Sequence, residues 1–166
     1  MRDLARVAHA GAHGRAQEVE LTRFCTHCGS LFDAPASSPE RPLRGRVCPR
    51  CTLGVVLTCA QELLSREGAA FLVVTSDLRV SAASEAAEQL LANGDGLYGR
   101  PLLSILTAPD GIAELARRVV RAATGDRLIS TLAVEPSATR LQGMELEAAV
   151  GACGDPPAAL VVVEAA

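Results

Sequence analysis

The sequence predicts an α+β protein in two parts: a short cysteine-bearing module, then a longer domain of strands and helices. Three observations carry that prediction. Two C-x-x-C pairs, Cys25/Cys28 and Cys48/Cys51, bracket an insert that is loop by composition. One stripe at helical spacing stands out over residues 110–124. Short apolar runs closed by turn residues recur from residue 69 onward.

In chain order, residues 1–20 predict a short N-terminal helix. Leu4, Val7 and Ala8 share a face there, although Gly11 and Gly14 weaken it. Residues 21–54 hold both cysteine pairs around the insert DAPASSPERPLRGR. Residues 55–68 read as a linker helix: Val56, Ala60, Leu63 and Leu64 form one apolar face, and Gly68 stops it. Residues 71–75 and 79–82 form a hairpin about Ser76-Asp77. Ser84 then caps a helix over 85–91, with Glu85 and Glu88 in its first turn to meet the helix dipole. A glycine-rich loop and a short apolar turn over 102–106 lead to the second helix. There Ile112, Leu115, Ala116, Val119 and Val120 lie opposite Glu114, Arg117, Arg118 and Arg121. Three strands follow, over 128–134, 144–150 and 159–164, with Glu145 and Glu147 on a solvent-facing side.

Composition narrows the function classes. The chain has 166 residues, 49% hydrophobic and 21% charged, which excludes wholesale disorder. Every basic residue is arginine, so Schiff-base lysines and Walker-type phosphate loops are excluded. Residues 21–54 carry five arginines against two acids, whereas residues 55–166 carry eight against fourteen. Net charge is −3, unlike that of a nucleic-acid binder used along its whole length. The start, MRDLARVAHAGAHGR, has no apolar core of a secretory signal, and no apolar run is long enough to cross a membrane. A cytoplasmic location is expected, where structural disulfides are rare and paired cysteines read first as metal ligands.

Cys25-Thr26-His27-Cys28 and Cys48-Pro49-Arg50-Cys51 are separated by a spacing suited to one tetrahedral site. Two tight bends each turn two thiolates onto one cation, at a metal–sulfur distance of about 2.3 Å for zinc. Gly29 suits the first bend because a knuckle needs positive φ. With CTHCG and CPRC as its motifs, the segment 21–54 resembles a zinc ribbon. In the second knuckle Thr52 stands where glycine is usual, and Gly54 follows two residues later. Four ligands of one kind leave no open coordination position, so Zn2+ in a structural role is expected at Cys25, Cys28, Cys48 and Cys51. Iron is the rival, since rubredoxin-like knuckles share this pattern. His27 is expected at the knuckle surface rather than as a ligand, and His9 and His13 as a surface pair. Arg41, Arg44, Arg46 and Arg50 read either as a solvated loop balancing nearby negative charge or as a contact to phosphates.

From residue 69 the element order is strand, strand, helix, short turn, helix and three strands. With FLVVTSDLRVSAASEAAEQLL and YGRPLLSIL as its carrying residues, the segment 69–166 resembles a PAS domain. Ser84 stands where that family often has Asn, and either residue caps a helix. The resemblance implies a five-stranded antiparallel sheet with helices on one face, around either a filled core or a small apolar ligand. It also implies neither haem nor flavin, because residues 55–166 lack a histidine for an axial ligand and the matching helix lacks a flavin-reactive cysteine motif. Cys59 and Cys153 read as small apolar or surface fillers, the first on the linker helix and the second in a glycine-rich loop.

Without a histidine in that half, no Ser/His/Asp or Cys/His set can form, so no catalytic residues and no enzyme are expected. The expected function is that of a signalling or regulatory protein, its zinc ribbon coupled to a PAS-like sensor or protein-interaction domain. The alternative is a transcription-associated factor contacting nucleic acid through the arginine loop. An unidentified partner protein is expected, as is a homodimer packed through the helix at 55–67.

Overall fold

The computed structural model describes residues 19–33 and 46–165. The predicted N-terminal helix with His9 and His13, and Arg41 and Arg44 of the insert, lie outside the described residues. The strands are β1 (Leu21–Cys25), β2 (Leu31–Asp33), β3 (Val56–Ala60), β4 (Ala70–Val74), β5 (Val80–Ala83), β6 (Leu106–Thr107), β7 (Ser130–Pro136), β8 (Leu146–Cys153) and β9 (Ala158–Ala165). The helices are α1 (Glu85–Leu91) and α2 (Ile112–Ala123), so the protein is α+β. Strand order is β2-β1-β3-β8-β9-β4-β5, every pairing is antiparallel, and β7 lies beside the first part of β8.

Around β4 and β9 the sheet buries both of its faces. On one side Leu72, Val74, Val150, Val161 and Val163 pack with Ala87 and Leu91 of α1 and Leu115 and Val119 of α2. On the other, Phe71, Val73, Leu160 and Val162 pack with Phe24, Leu63 and Leu64. The central strand β9 shows the consequence: Ala159 through Val163 are all buried, a continuous apolar run rather than an alternating one. Each fully buried Val or Leu contributes about 1.5–3 kcal/mol. Between the helices and the sheet Leu72, Val74, Leu97, Leu106, Leu115 and Val119, all fully buried, pack in one cluster.

The hairpin β4–β5, both helices and the three closing strands fall where the sequence places them, with ends shifted by a few residues. The linker helix does not. Residues 56–60 form β3, held between β1 and β8, and residues 61–68 are turn and bend. Val56, Ala60, Leu63 and Leu64 fit a helical stripe, but the β-branched Val55, Val56 and Thr58 favour a strand wherever neighbouring strands are available. Leu63 and Leu64 are buried against the chain's own sheet, so the helical dimer face is absent. Cys59 and Cys153 are correspondingly strand residues, not helix and loop residues.

Ser84 ties the start of α1 to β4. Its buried hydroxyl accepts from Phe71 N at 3.0 Å and from Ala87 N at 3.1 Å, and donates to the Ala69 carbonyl at 2.9 Å. Ser84→Ala removes all three bonds inside the core. We expect a loss of about 1–3 kcal/mol in urea unfolding, more than an exposed cap would lose.

Candidate metal centre

The four cysteines come together because two knuckles face each other at the end of the β1–β3 pairing. In the first, Gly29 N donates to the Cys25 carbonyl at 3.2 Å, and Cys25 N donates to the Ser30 carbonyl at 3.0 Å. In the second, Thr52 N donates to the Cys48 carbonyl at 3.0 Å, and Cys48 N donates to the Gly54 carbonyl at 2.8 Å. The four-residue turn is thus built twice, while the closing bond spans five residues in the first knuckle and six in the second. Gly29 and Thr52 occupy the matching position, with φ of 67° and 59°. Glycine takes that conformation freely, whereas threonine is strained there.

The four sulfurs lie within 4.8 Å of one another. Cys25 Sγ is 3.6 Å from Cys51 Sγ, and Cys28 Sγ is 3.9 Å from Cys48 Sγ. A tetrahedron with metal–sulfur bonds of about 2.3 Å has edges of about 3.8 Å, so the thiols are spaced to hold one metal ion. Disulfides, at about 2.05 Å, are a different geometry, and all four cysteines are free thiols. Cys25 and Cys48 are fully buried, while Cys28 and Cys51 form the half-buried outer side.

Burial pushes the Cys25 thiol up to about 12. For Cys28, burial acts upward, but hydrogen bonds with Ser30 outweigh it and hold the thiol below its ordinary range. Backbone hydrogen bonds from Gly54 and Leu53 bring Cys51 down to about 6. A coordinated cation would ionise even Cys25, since thiolate is the ligand form. As pH falls, protons compete for the sulfurs and metal affinity falls with it.

Around the sulfurs, His27 takes part through its backbone. Its N–H points at Cys25 Sγ at 3.4 Å, and its carbonyl accepts from Glu85 N at 2.8 Å, the first residue of α1. Arg50 donates to Glu67 Oε1 at 2.8 Å and lies over the Phe32 ring, 5.5 Å from its centre. The same Glu67 oxygen accepts from Leu31 N at 3.1 Å. Arg46 donates to the Asp155 carbonyl at 2.9 Å. Of the four arginines assigned to the loop, the two that are described, Arg46 and Arg50, therefore fasten the knuckles to the rest of the chain.

Gly54 matters more than its sequence position suggested. A Cβ there would lie 2.5 Å from Cys25 Sγ and 2.9 Å from His27 N and Cβ, so only glycine fits between the knuckles. The displacement of glycine from position 52 to 54 was the available signal. No protein-family model matches the sequence, and no curated protein matches it either.

The two positions should separate in zinc titrations monitored with a competing chelator. Gly54→Ala is expected to weaken zinc binding at least about tenfold, because the added methyl must displace a ligand or its backbone. Thr52→Gly relieves the positive φ and should retain the metal.

Proposed function

We propose that the protein is a non-enzymatic regulatory module in which a zinc ribbon is built onto a PAS-like domain. The observation that carries this reading is the joint between them. The first knuckle meets α1 through the His27 carbonyl, and Phe24, one residue before Cys25, packs edge-on against Phe71 of β4 at 5.2 Å. Any change at the sulfurs thus bears directly on the sheet and on α1.

Zinc is favoured by four thiolates on two C-x-x-C knuckles, a closed set suited to a structural ion. The PAS-like reading draws support from the sheet: β5-β4-β9-β8-β7 is five antiparallel strands with α1 and α2 packed on one face. The cluster of fully buried Leu and Val side chains between helices and sheet favours a protein partner over a bound small molecule as the means of output. In this reading the ribbon's metal keeps the outer face of the sheet in shape, and the partner recognises that shape.

Nucleic-acid binding through the arginine loop is the second reading, and the intrachain roles of Arg46 and Arg50 leave it less charge to use. The homodimer expected through a helix at 55–67 loses that helix, because residues 56–60 are strand β3. Native mass spectrometry of protein expressed with zinc is expected to give one zinc per chain. Titration with duplex DNA and with RNA at low salt should show no saturable binding. A saturable complex whose affinity drops steeply with salt would instead favour the second reading.

A further inference from the structure

The strands β3 and β8 meet at a single register pair, Cys59 opposite Cys153. Gly154 N donates to the Thr58 carbonyl at 2.9 Å, a bond between residues flanking that pair. In an antiparallel ladder such a bond marks a non-hydrogen-bonded pair, whose Cα atoms are about 4.5 Å apart and whose side chains stand close on one face. Disulfides need Cα atoms about 4.4–6.8 Å apart, so the backbone already has the required span. Both residues are free thiols packed in the core with Phe24, Leu63, Leu160 and Val162, at 2% and 3% exposure.

We infer that Cys59 and Cys153 are a site of intrachain disulfide formation, separate from the four metal-site cysteines. The bond joins the knuckle-bearing strands to the larger sheet where a single ladder pair now links β3 to β8. The oxidant is a peroxide. One sulfur, as thiolate, attacks a peroxide oxygen; the O–O bond breaks, giving a sulfenic acid and one water. The second sulfur then attacks the sulfenic sulfur, the S–S bond forms, and a second water leaves with the remaining proton. Two thiols are oxidised and one peroxide is reduced to two waters. Burial holds both thiols up at about 12, so the reaction is slow and proceeds when the joint opens locally. Once formed, the bond closes a long loop, from residue 59 to residue 153, and restricts the unfolded chain.

The test uses the full-length, zinc-loaded protein. It is exposed while folded to hydrogen peroxide, its free thiols are blocked with a maleimide in denaturant, and it is digested without reductant for mass spectrometry. A linked peptide containing Cys59 and Cys153, lost on reduction, is expected. The oxidised protein should also melt at a higher temperature than before treatment, a rise absent in Cys59→Ala and Cys153→Val. Recovery of both residues as maleimide adducts after oxidation of the knuckle cysteines would overturn the inference. So would their appearance in bonds to knuckle cysteines. The linked-peptide result comes from the unaltered chain and does not depend on either variant folding.

Discussion

The edge-to-face packing of Phe24 on Phe71 is the contact on which the arrangement depends. Phe24 lies in β1 immediately before the first metal-site cysteine, and Phe71 lies in β4, deep in the larger sheet. A chain with three phenylalanines and no tryptophan uses two of them here. Aromatic pairs of this geometry add about 0.5–1.5 kcal/mol beyond the area they bury. Gly29 lies beside the contact: a Cβ there would crowd the Gly68 backbone at 3.3 Å and meet the Phe71 ring at an ordinary 3.7 Å.

Around that contact, polar groups fix orientation. The His27 carbonyl receives the first N–H of α1, and Glu67 gathers Leu31 N and Arg50 into one carboxylate. The Arg50–Glu67 pair is exposed and contributes little by itself. Its shared backbone donor and the Phe32 ring beneath Arg50 give it a defined place. A closed four-sulfur site adds the stiffness that two short knuckles lack, since so small a module cannot bury enough apolar surface to hold its own shape.

Much of this was legible in the sequence. The metal-site cysteines follow from spacing, α2 from its 3.6-residue stripe, and the start of α1 from Ser84 and the acids behind it. What was not legible depends on neighbours distant in the chain. β3 reads as a helix because Val56, Ala60, Leu63 and Leu64 satisfy that period; its identity as a strand comes from β1 and β8 on either side. The need for glycine at position 54 arises from the approach of the opposite knuckle, and the pairing of Cys59 with Cys153 from the order of the strands. Local pattern fixes local structure, and these features are products of topology.

Phe24, Phe71 and the His27 carbonyl join the metal centre and the sheet into one mechanical unit. Amide hydrogen exchange of the zinc-loaded protein, before and after chelation, tests it most directly. Chelation is predicted to raise exchange in β1 and the knuckles, and also at Phe71 in β4 and at Glu85 and Ala87 at the start of α1. A rise confined to residues 25–33 and 46–54, with β4 and α1 as protected as before, would contradict it.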